Sequence, residues 1–225
     1  MSSSVVTEQV SLAVSTVVFA LRPHPRTGET TLWLPLVRRI REPYEGRWAL
    51  PGGPLKAHQD LAASARETLA DTTGLEPAHL EQLYSFGAVD RSPADRVVSI
   101  VYWALVRPDE DARTTETPNV EWFVADEVPQ LAFDHNEIVR HALDRLRAKI
   151  TYSPIALAFV PDEFTLAELR GVHEAVLGRC LDPANFRRQV LAGGTVEPTG
   201  THLTGTSHRP PALYRAAPRE QEKSR

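Results

Sequence analysis

The alternation of apolar and polar positions divides the first two thirds of the chain into strands and helices. Four stretches rich in β-branched and apolar side chains, separated by turn-forming residues, predict β-strands at residues 10–21, 31–37, 96–106 and 120–124. Two stretches whose apolar residues recur every three or four positions predict amphipathic helices at residues 60–73 and 134–147. Mixed strands with two helices indicate an α/β sandwich of about 150 residues.

From residue 150 onward the pattern changes to two short helices followed by β-prone pieces. The first helix begins at the capping box Thr165-Leu-Ala-Glu168, and the second begins where Asp182 precedes Pro183. Residues 195–215 are rich in Gly, Thr and Pro and predict a hairpin. The order of helix, turn, helix and hairpin is that of a winged helix-turn-helix.

The length and composition of the chain suit two domains of an ordinary globular protein. The chain has 225 residues, of which 42% are hydrophobic and 24% charged, and compact domains usually contain about 100–150 residues. We therefore expect an α+β protein in which residues 1–149 form the sandwich, residues 150–215 form the winged helix-turn-helix and residues 216–225 form a polar tail.

The cysteine content and the hydrophobic segments limit where the protein can work. Cys180 is the one cysteine of the chain and cannot form an internal disulfide, which fits a reducing cytosol. The apolar N-terminal segment has no basic region in front of it, so we interpret it as the first strand rather than an export signal. No run of about 18 apolar residues exists, so we expect a cytoplasmic protein without a membrane-spanning segment.

Charge is distributed unevenly along the chain. The net charge is −4 overall, but within residues 179–215 five arginines outnumber Asp182 and Glu197 by three. This excess places the candidate nucleic-acid contact at the C-terminal end. The eight histidines are dispersed and Cys180 has no neighbouring cysteine, so the sequence indicates no metal cluster.

Residues 52–75 resemble the Nudix box, whose pattern is G-x5-E-x7-R-E-U-x-E-E-x-G-U with U an aliphatic residue. The glycine and aliphatic positions of the pattern are matched without a gap by Gly53, Leu69, Gly74 and Leu75. The preceding Trp48-Ala-Leu-Pro-Gly-Gly53 is also typical of the entry into the box. The resemblance implies a Nudix-type α/β/α sandwich for the first domain.

The carboxylates of the box are largely replaced in this chain. In the ungapped register the glutamate positions are occupied by Gln59, Thr68, Asp71 and Thr72, and the arginine position by Glu67. A Nudix hydrolase needs several carboxylates to hold Mg²⁺ against a pyrophosphate and to activate a water. Asp71 alone would bind Mg²⁺ poorly, so we predict no catalytic residues, no metal site and a domain that is not an enzyme.

A register shifted by one residue is the alternative interpretation of the box. Arg66 and Glu67 would then supply the Arg-Glu pair, and Glu67 and Asp71 would lie one helical turn apart. The shift would displace Gly74 and put Thr68 where the aliphatic residue belongs, and it would turn the helix face by about 100°. A chance similarity of an ordinary loop and helix is the remaining alternative.

A box that keeps its glycines and loses its carboxylates indicates binding without turnover. We expect the cleft to accept a nucleoside diphosphate derivative, with arginines on the phosphates and a tryptophan stacked on the ligand or walling the cleft. The candidate effector-binding residues are Arg38, Arg39, Arg47, Trp48, Gly52 and Gly53. Each arginine could instead be a solvated surface residue, and the tryptophan could be an anchor of its loop.

Together with the degenerate box, the C-terminal segments resemble the NrtR family of Nudix-related transcriptional regulators over residues 10–215. The segments that carry the resemblance are Tyr152-Ser-Pro-Ile-Ala, Phe164-Thr-Leu-Ala-Glu-Leu-Arg, Leu181-Asp-Pro-Ala-Asn-Phe-Arg-Arg and Arg209-Pro-Pro-Ala-Leu-Tyr-Arg. The resemblance implies a repressor of NAD biosynthesis or salvage genes that releases DNA on binding ADP-ribose or a related NAD metabolite. We expect no required cofactor and doubt that Mg²⁺ is bound.

The second helix of the C-terminal domain has side chains suited to the major groove. Phe186 and Val190 can face the core, which turns the neighbouring polar residues outward. Arginine reads guanine and asparagine or glutamine reads adenine, while hairpin residues could contact the DNA backbone or minor groove. The candidate DNA-binding residues are Asn185, Arg187, Arg188, Gln189, Thr199, Thr201, His208 and Arg209. Helix-turn-helix proteins usually read paired half-sites, so we expect a homodimer on a palindromic double-stranded operator.

Two other functions stay open at this point, and so does a dual function in which weak hydrolysis accompanies DNA binding. The chain could be an active Nudix hydrolase of ADP-ribose or a similar compound, which Mg²⁺-dependent release of AMP would reveal. It could also be a nucleotide-sensing protein whose winged helix binds another protein, and DNA binding that is absent or independent of salt would indicate this.

Overall fold

One long strand, β1 (Ser11–Pro23), organises the larger of two sheets, because its two halves pair with different neighbours. The structure is a computed structural model and describes residues 9–77, 79–107, 110, 118–203 and 210–218. The other strands of this sheet are β2 (Thr30–Arg38), β3 (Trp48–Ala49), β4 (Gly52–Pro54), β5 (His79–Phe86), β6 (Val97–Leu105) and β7 (Val120–Val124).

The order of strands in this sheet is β3-β2-β1-β6-β5, with β4 also paired to β1 and β7 also paired to β2. Strands β1 and β6 run parallel, whereas the other described pairs of the sheet are antiparallel. The first half of β1 pairs with β4 around Val14, and its second half pairs with β2 from Ala20 onward. The Gly-rich segment after β3 is therefore held against the centre of the sheet.

Two helices cover opposite faces of this sheet. Successive residues of a strand face opposite sides, and Val14 of β1 packs in the same cluster as Ala65 of helix α1 (Leu61–Thr73). Val17 of β1 instead shares a cluster with Ile138 of helix α2 (His135–Lys149). The first domain is therefore an α/β/α sandwich, as the sequence predicted.

The C-terminal part consists of a short 3-10 helix (Pro154–Phe159), a three-stranded sheet and two α-helices. Its elements are β8 (Phe164–Thr165), α3 (Leu166–Leu177), α4 (Pro183–Ala192), β9 (Val196–His202) and β10 (Ala212–Ala216), and the strand order is β8-β10-β9. The predicted capping box forms, since Glu168 N–H donates to Thr165 Oγ1 (3.1 Å) and Thr165 N–H donates to Glu168 Oε2 (2.7 Å). Two helices followed by a hairpin make a winged helix-turn-helix.

The winged helix packs directly on the sandwich. A single cluster of buried apolar residues contains Leu36 of β2 and Leu146 of α2 together with Leu169, Val176 and Phe186 of the winged helix. Shared burial of this kind resists independent movement of the two parts. Among the described residues, no helix has the length and apolar character needed to cross a membrane.

Most predicted elements are present, but strand β5 and the two short strands β3 and β4 were missed. The segment of β5 was not predicted because a register shift between Gln82 and Tyr84 interrupts its pairing with β6, and a bulge breaks the alternation that marks a strand. Residues 42–55 are rich in prolines and glycines typical of turns, so no strand was predicted there, although β3 and β4 lie within them.

Candidate effector cavity and DNA-binding surface

The glycine that opens the box-like segment is needed for close packing. A Cβ atom on Gly52 would lie 2.7 Å from the carbonyl oxygen of Val14 and 2.8 Å from Oγ of Ser15, which is too close for any side chain. A Cβ atom on Gly53 would meet no atom within 4 Å. Gly52 therefore lets β4 approach β1, whereas packing gives no reason for a glycine at position 53.

The burial of residues in and after helix α1 distinguishes between the two registers of the box. Leu69 and Leu75 are each 1% exposed, and Gly74 ends the helix in the left-handed conformation with φ of 71°. Thr68, which the shifted register would place at the aliphatic position, is only half-buried. The burial of the helix therefore favours the ungapped register.

The polar residues of the box are either hydrogen-bonded within the protein or exposed. Glu67 is paired with Lys56 (Oε1 to Nζ, 2.9 Å), Asp71 is exposed, and the hydroxyl of Thr72 donates to the carbonyl oxygen of Thr68 (2.6 Å). In the described part of the chain, no group of three or more His, Cys, Asp or Glu side chains is placed to hold a metal ion. These residues do not fit Mg²⁺, which takes several oxygen ligands in near-octahedral geometry.

A cavity of about 480 Å³ opens on the sheet face opposite to α1, and we call it the sandwich cavity. Its floor is formed by alternate residues of β1 and β6, namely Ala13, Ser15, Val97 and Ser99. The hydroxyls of Ser15 and Ser99 share a buried hydrogen bond of 3.2 Å. A concave site of this size, with a few polar groups among apolar ones, is typical of a small-molecule pocket.

Three of the six predicted effector-binding residues line the sandwich cavity, namely Arg39, Gly52 and Gly53. The other three do not. Arg38 donates from Nε to the carbonyl oxygen of Gly46 (3.3 Å), the Arg47 guanidinium lies 5.8 Å from the ring centroid of Tyr44, and Trp48 packs edge-on against Phe123. These three residues contact other parts of the protein and do not line the cavity. Their contact with an effector stays a prediction, and the position of the cavity does not support it.

The wall of the cavity contains polar residues that the sequence did not predict. Arg91 forms a two-point ion pair with Asp134, from Nε to Oδ2 (2.9 Å) and from Nη2 to Oδ1 (2.7 Å). The two side chains are only 5% and 14% exposed. In the sequence Asp134 was only the first residue of a predicted helix, and no local pattern linked it to Arg91, which lies 43 positions earlier.

His135 stands beside this pair and is neutral. It is 6% exposed, and its Nδ1 accepts a hydrogen bond from the backbone N–H of Leu50 (3.0 Å). Burial lowers the pKa of His135 to about 4, Asp134 opposes this shift, and Arg91 and Arg39 add to it. Since Nδ1 is the acceptor, the neutral ring carries its proton on Nε2.

Two residues with positive φ lie beside the cavity, one of them on its lining. Tyr44 and Phe133 are the two non-glycine residues with positive φ in the described part of the chain, at 68° and 55°, and their ring centroids are 5.0 Å apart. The guanidinium of Arg39 lies 4.7 Å from the centroid of Phe133. Such conformations are held only where packing imposes them, and they are frequent at binding sites.

The predicted recognition helix α4 has the expected faces. Phe186 is buried and Val190 is half-buried, while Asn185, Arg187, Arg188 and Gln189 are exposed. Asp182 caps the helix by accepting a hydrogen bond from the backbone N–H of Asn185 (2.8 Å), and Nη2 of Arg188 donates to Oδ1 of Asn185 (2.6 Å). The hydrogen bond positions the arginine on the exposed surface of the helix.

The hairpin residues differ in their availability to DNA. Thr199 is half-buried and donates to the carbonyl oxygen of Leu213 (3.1 Å), whereas Thr201 is exposed. His208 and Arg209 lie outside the described residues. Contact of any of these residues with DNA stays a prediction.

A sandwich with a polar cavity, joined to a winged helix with an exposed arginine-bearing helix, defines a ligand-binding domain attached to a DNA-binding domain. Comparison with known proteins agrees with this class. A profile of the NUDIX domain matches residues 13–146, and a profile of the NrtR DNA-binding winged helix domain matches residues 156–216. The chain belongs to the NrtR family of Nudix-related transcriptional regulators.

Individual relatives show the same relationship. The chain is 34% identical over 188 residues to the ADPR responsive transcriptional repressor NtrR of Acinetobacter baylyi, covering 81% of this chain and 74% of that protein. Its structure is similar to that of Shewanella oneidensis NrtR complexed with a 27mer DNA, with a TM-score of 0.78, 30% identity and coverage of 91% of this chain and 93% of that chain.

The first domain alone has relatives of two kinds. It is similar to the NUDIX domain of the same Shewanella oneidensis NrtR complexed with ADP ribose, with a TM-score of 0.51 and 27% identity over 64% of this chain and 94% of that chain. The chain is also 30% identical over 105 residues to the ADP-ribose pyrophosphatase of Methanocaldococcus jannaschii, covering 47% of this chain and 62% of that enzyme. Similarity of the first domain therefore extends to a binding protein and to an enzyme.

Proposed function

We propose that this protein is a transcriptional repressor that binds ADP-ribose in the sandwich cavity and releases its DNA when the ligand is bound. The observation that carries the proposal is the combination, in one chain, of a cavity lined by Arg39 and Arg91 with an exposed recognition helix carrying Arg187 and Arg188. The names of the NrtR relatives, one ADPR responsive and one solved with DNA, support it.

The chemistry of the sandwich cavity suits a nucleoside diphosphate sugar. Arg39 and Arg91 offer guanidinium donors to the phosphates. Glu42 and Asp95 also line the cavity and can accept hydrogen bonds from sugar hydroxyls. The ring of Phe133 at the rim offers an aromatic surface to a base. ADP-ribose contains all three kinds of group.

We infer that the domain binds this ligand without hydrolysing it and needs no cofactor. The inference is supported by the exposed positions of Glu67 and Asp71 on α1, which lies on the sheet face opposite to the cavity. A hydrolase is the second candidate, favoured by the similarity to an ADP-ribose pyrophosphatase. Release of AMP from ADP-ribose in the presence of Mg²⁺, lost in Glu67→Gln, would establish the hydrolase.

The target and the assembly are also proposals. We propose that the protein acts as a homodimer on a palindromic operator, because a single recognition helix contacts only one half-site. We propose that the regulated genes belong to NAD biosynthesis or salvage, since ADP-ribose is a product of NAD breakdown. Sedimentation of the free protein and of its operator complex would give the number of subunits bound.

The deciding experiment measures fluorescence anisotropy of labelled upstream DNA from NAD-biosynthesis genes at about 0.1 M salt, because the salt sets the electrostatic part of the affinity. We expect tight binding that ADP-ribose reverses while the ADP-ribose itself is recovered intact. Absence of binding to every such fragment would contradict the proposed repressor function. It would favour the hydrolase or a winged helix that binds another protein.

A further inference from the structure

We propose that Arg91 is the principal phosphate-binding residue of the sandwich cavity, with Arg39 as its partner and Asp134 as the residue that positions it. The proposal rests on the proposed function in one respect, namely that the effector carries a diphosphate. It assigns the recognition of the effector's charge to a residue far from the box-like segment, whereas the sequence had placed it on Arg38, Arg39 and Arg47.

The first argument is the way in which the Arg91 guanidinium is held. Asp134 occupies one edge of the guanidinium, through Nε and Nη2, and the side chain of Arg91 is only 5% exposed. A guanidinium has five N–H donors, so this edge-on pairing leaves both donors of Nη1 for another acceptor. No hydrogen-bond partner of Nη1 is found in the part of the chain that the structure describes, and Arg91 lines the cavity.

The second argument is the behaviour of Asp134. This residue stands at the N-cap of α2, where an aspartate usually accepts a hydrogen bond from the first turn, yet its side chain makes no capping bond. Both of its carboxylate oxygens are directed to Arg91 instead. Asp134 therefore holds the buried guanidinium of Arg91 in one orientation instead of capping the helix. This arrangement indicates that the orientation of Arg91 is important for binding in the cavity.

The third argument is that a second arginine is fixed in the same manner. Arg39 donates from Nε to the carbonyl oxygen of Pro43 (2.8 Å) and from Nη2 to that of Arg41 (3.3 Å), which again leaves Nη1. Burial lowers the pKa of the Arg39 guanidinium, and Glu42 opposes the shift. Arg39, Arg91 and His135 all line the sandwich cavity, so the two cations face the same space.

The carboxylates of the cavity restrict what an anion can bind. Asp134 is neutralised by Arg91, and Glu42 and Asp95 remain on the lining. An anion without hydroxyl groups would therefore meet repulsion from these two carboxylates, whereas the sugars of a nucleotide sugar could donate to them. Inorganic pyrophosphate should accordingly bind more weakly than ADP-ribose, and both should require Arg91.

The test compares two variants that break the same ion pair. Arg91→Gln removes the cation and Asp134→Asn removes its partner, so a purely structural role of the pair predicts equal effects. We expect Arg91→Gln, which removes the cation, to weaken ADP-ribose binding at least ten-fold, and Asp134→Asn, which keeps the cation but loosens its orientation, to weaken it by a smaller factor of about three, by calorimetry with ADP-ribose, adenosine and pyrophosphate. Adenosine, which has no phosphate, should bind all forms alike.

Separate controls distinguish a variant that fails to fold, and a protein that does not bind ADP-ribose at all, from a loss of the Arg91 contact. Thermal midpoints without ligand show whether each variant folds, and Arg91→Lys keeps a cation if Arg91→Gln does not fold, with an expected intermediate loss. Equal weakening by Arg91→Gln and Asp134→Asn, or equal losses for adenosine and ADP-ribose, would overturn the role of Arg91. Failure of the unmodified protein to bind ADP-ribose would instead contradict the proposed function.

Discussion

Arg147 donates a hydrogen bond from Nε to the main-chain carbonyl oxygen of Val176, 3.1 Å away, and so joins the last turn of α2 to the last turn of α3. Its Nη2 donates to Oδ2 of Asp126 at 2.6 Å, on the sandwich. The first turn of the same helix α2 carries His135 on the cavity wall. One helix of 15 residues, about 22 Å long, therefore extends from the cavity to the winged helix.

Replacing Arg147 with Met should uncouple the two sites. The variant keeps the aliphatic stem and loses both hydrogen bonds, so the polar link from α2 to the last turn of α3 is removed while their shared apolar core stays. We expect ADP-ribose affinity and DNA affinity, each measured alone, to stay within about three-fold of the unmodified protein. The factor by which ADP-ribose weakens DNA binding, of the order of 5–150 in coupled systems, should fall toward one.

The matched control is Arg145→Met, because Arg145 lies on the same helix and is exposed. It should leave the coupling factor unchanged. Anisotropy titrations of DNA at zero and saturating ADP-ribose measure this factor for each protein. If Arg147→Met keeps the coupling factor of the unmodified protein, the contact between Arg147 and Val176 does not transmit the effect of ADP-ribose to the winged helix.

Replacing Arg187 and Arg188 together with Ala should abolish specific DNA binding without unfolding the protein. Both side chains are exposed on α4, and a good bidentate contact to a base contributes about 1–3 kcal/mol. We expect a loss of at least 30-fold for the operator, measured by anisotropy. The double variant Arg140→Ala and Arg145→Ala removes the same charge from exposed positions of α2 and should lose far less.

A double variant of α4 that binds the operator normally would show that another element reads the sequence. The salt dependence of binding separates the two ways in which these arginines could act. If they contact only phosphates, the loss should be similar for operator and unrelated DNA and the salt slope should decrease. If they contact bases, the operator should lose more affinity than unrelated DNA does.

The helices could be predicted from sequence because their limits are set by local chemistry. Asp60 and Thr165 cap α1 and α3 through their own side chains, and Gly74 and Gly178 end these helices in the left-handed conformation. Each signal lies within a few residues of the element that it limits. Strand β5 depends instead on its partner β6 and contains a bulge, so its sequence carries no comparable signal.

The cavity could be predicted only in part, because its wall is assembled from distant segments. Gly52 and Gly53 were found through the box-like pattern, but Arg91 and Asp134 meet only in the folded chain. Arg38 and Arg39 were predicted together, yet side chains of successive residues in extended backbone point in opposite directions. Arg39 accordingly lines the cavity and Arg38 does not.

The two glycines of the box-like segment should respond differently to a side chain. Gly53→Leu places its side chain in open space on the cavity lining, so we expect ADP-ribose affinity to fall at least ten-fold while the free energy of unfolding changes by less than about 1 kcal/mol. Gly52→Ala forces β4 away from β1 and should lower the free energy of unfolding by about 1–3 kcal/mol.

Calorimetry with ADP-ribose and unfolding in urea measure these two effects on the same samples. DNA binding of Gly53→Leu without ligand should match that of the unmodified protein, because the winged helix is untouched. If Gly53→Leu binds ADP-ribose with the affinity of the unmodified protein, the sandwich cavity is not the effector site. A Gly52→Ala protein as stable as the unmodified one would contradict the close approach of the two strands.

His135 should make the stability of the protein depend on pH. Burial lowers its pKa to about 4 in the folded state, whereas an unfolded chain has a histidine pKa of about 6.5. Below pH 6.5 the unfolded state therefore binds a proton that the folded state does not, and stability falls as the pH decreases toward 4. Between pH 7 and 5 this contribution amounts to about 2 kcal/mol.

The measurement is the free energy of unfolding in urea at several pH values for the unmodified protein and for His135→Gln. Glutamine does not titrate and can still accept the hydrogen bond from Leu50, so the variant should lack the His135 share of the pH dependence. His173, whose pKa burial also lowers to about 4, remains in both proteins and cancels in the comparison. Parallel pH profiles for the two proteins would show that His135 is not held neutral at the cavity wall.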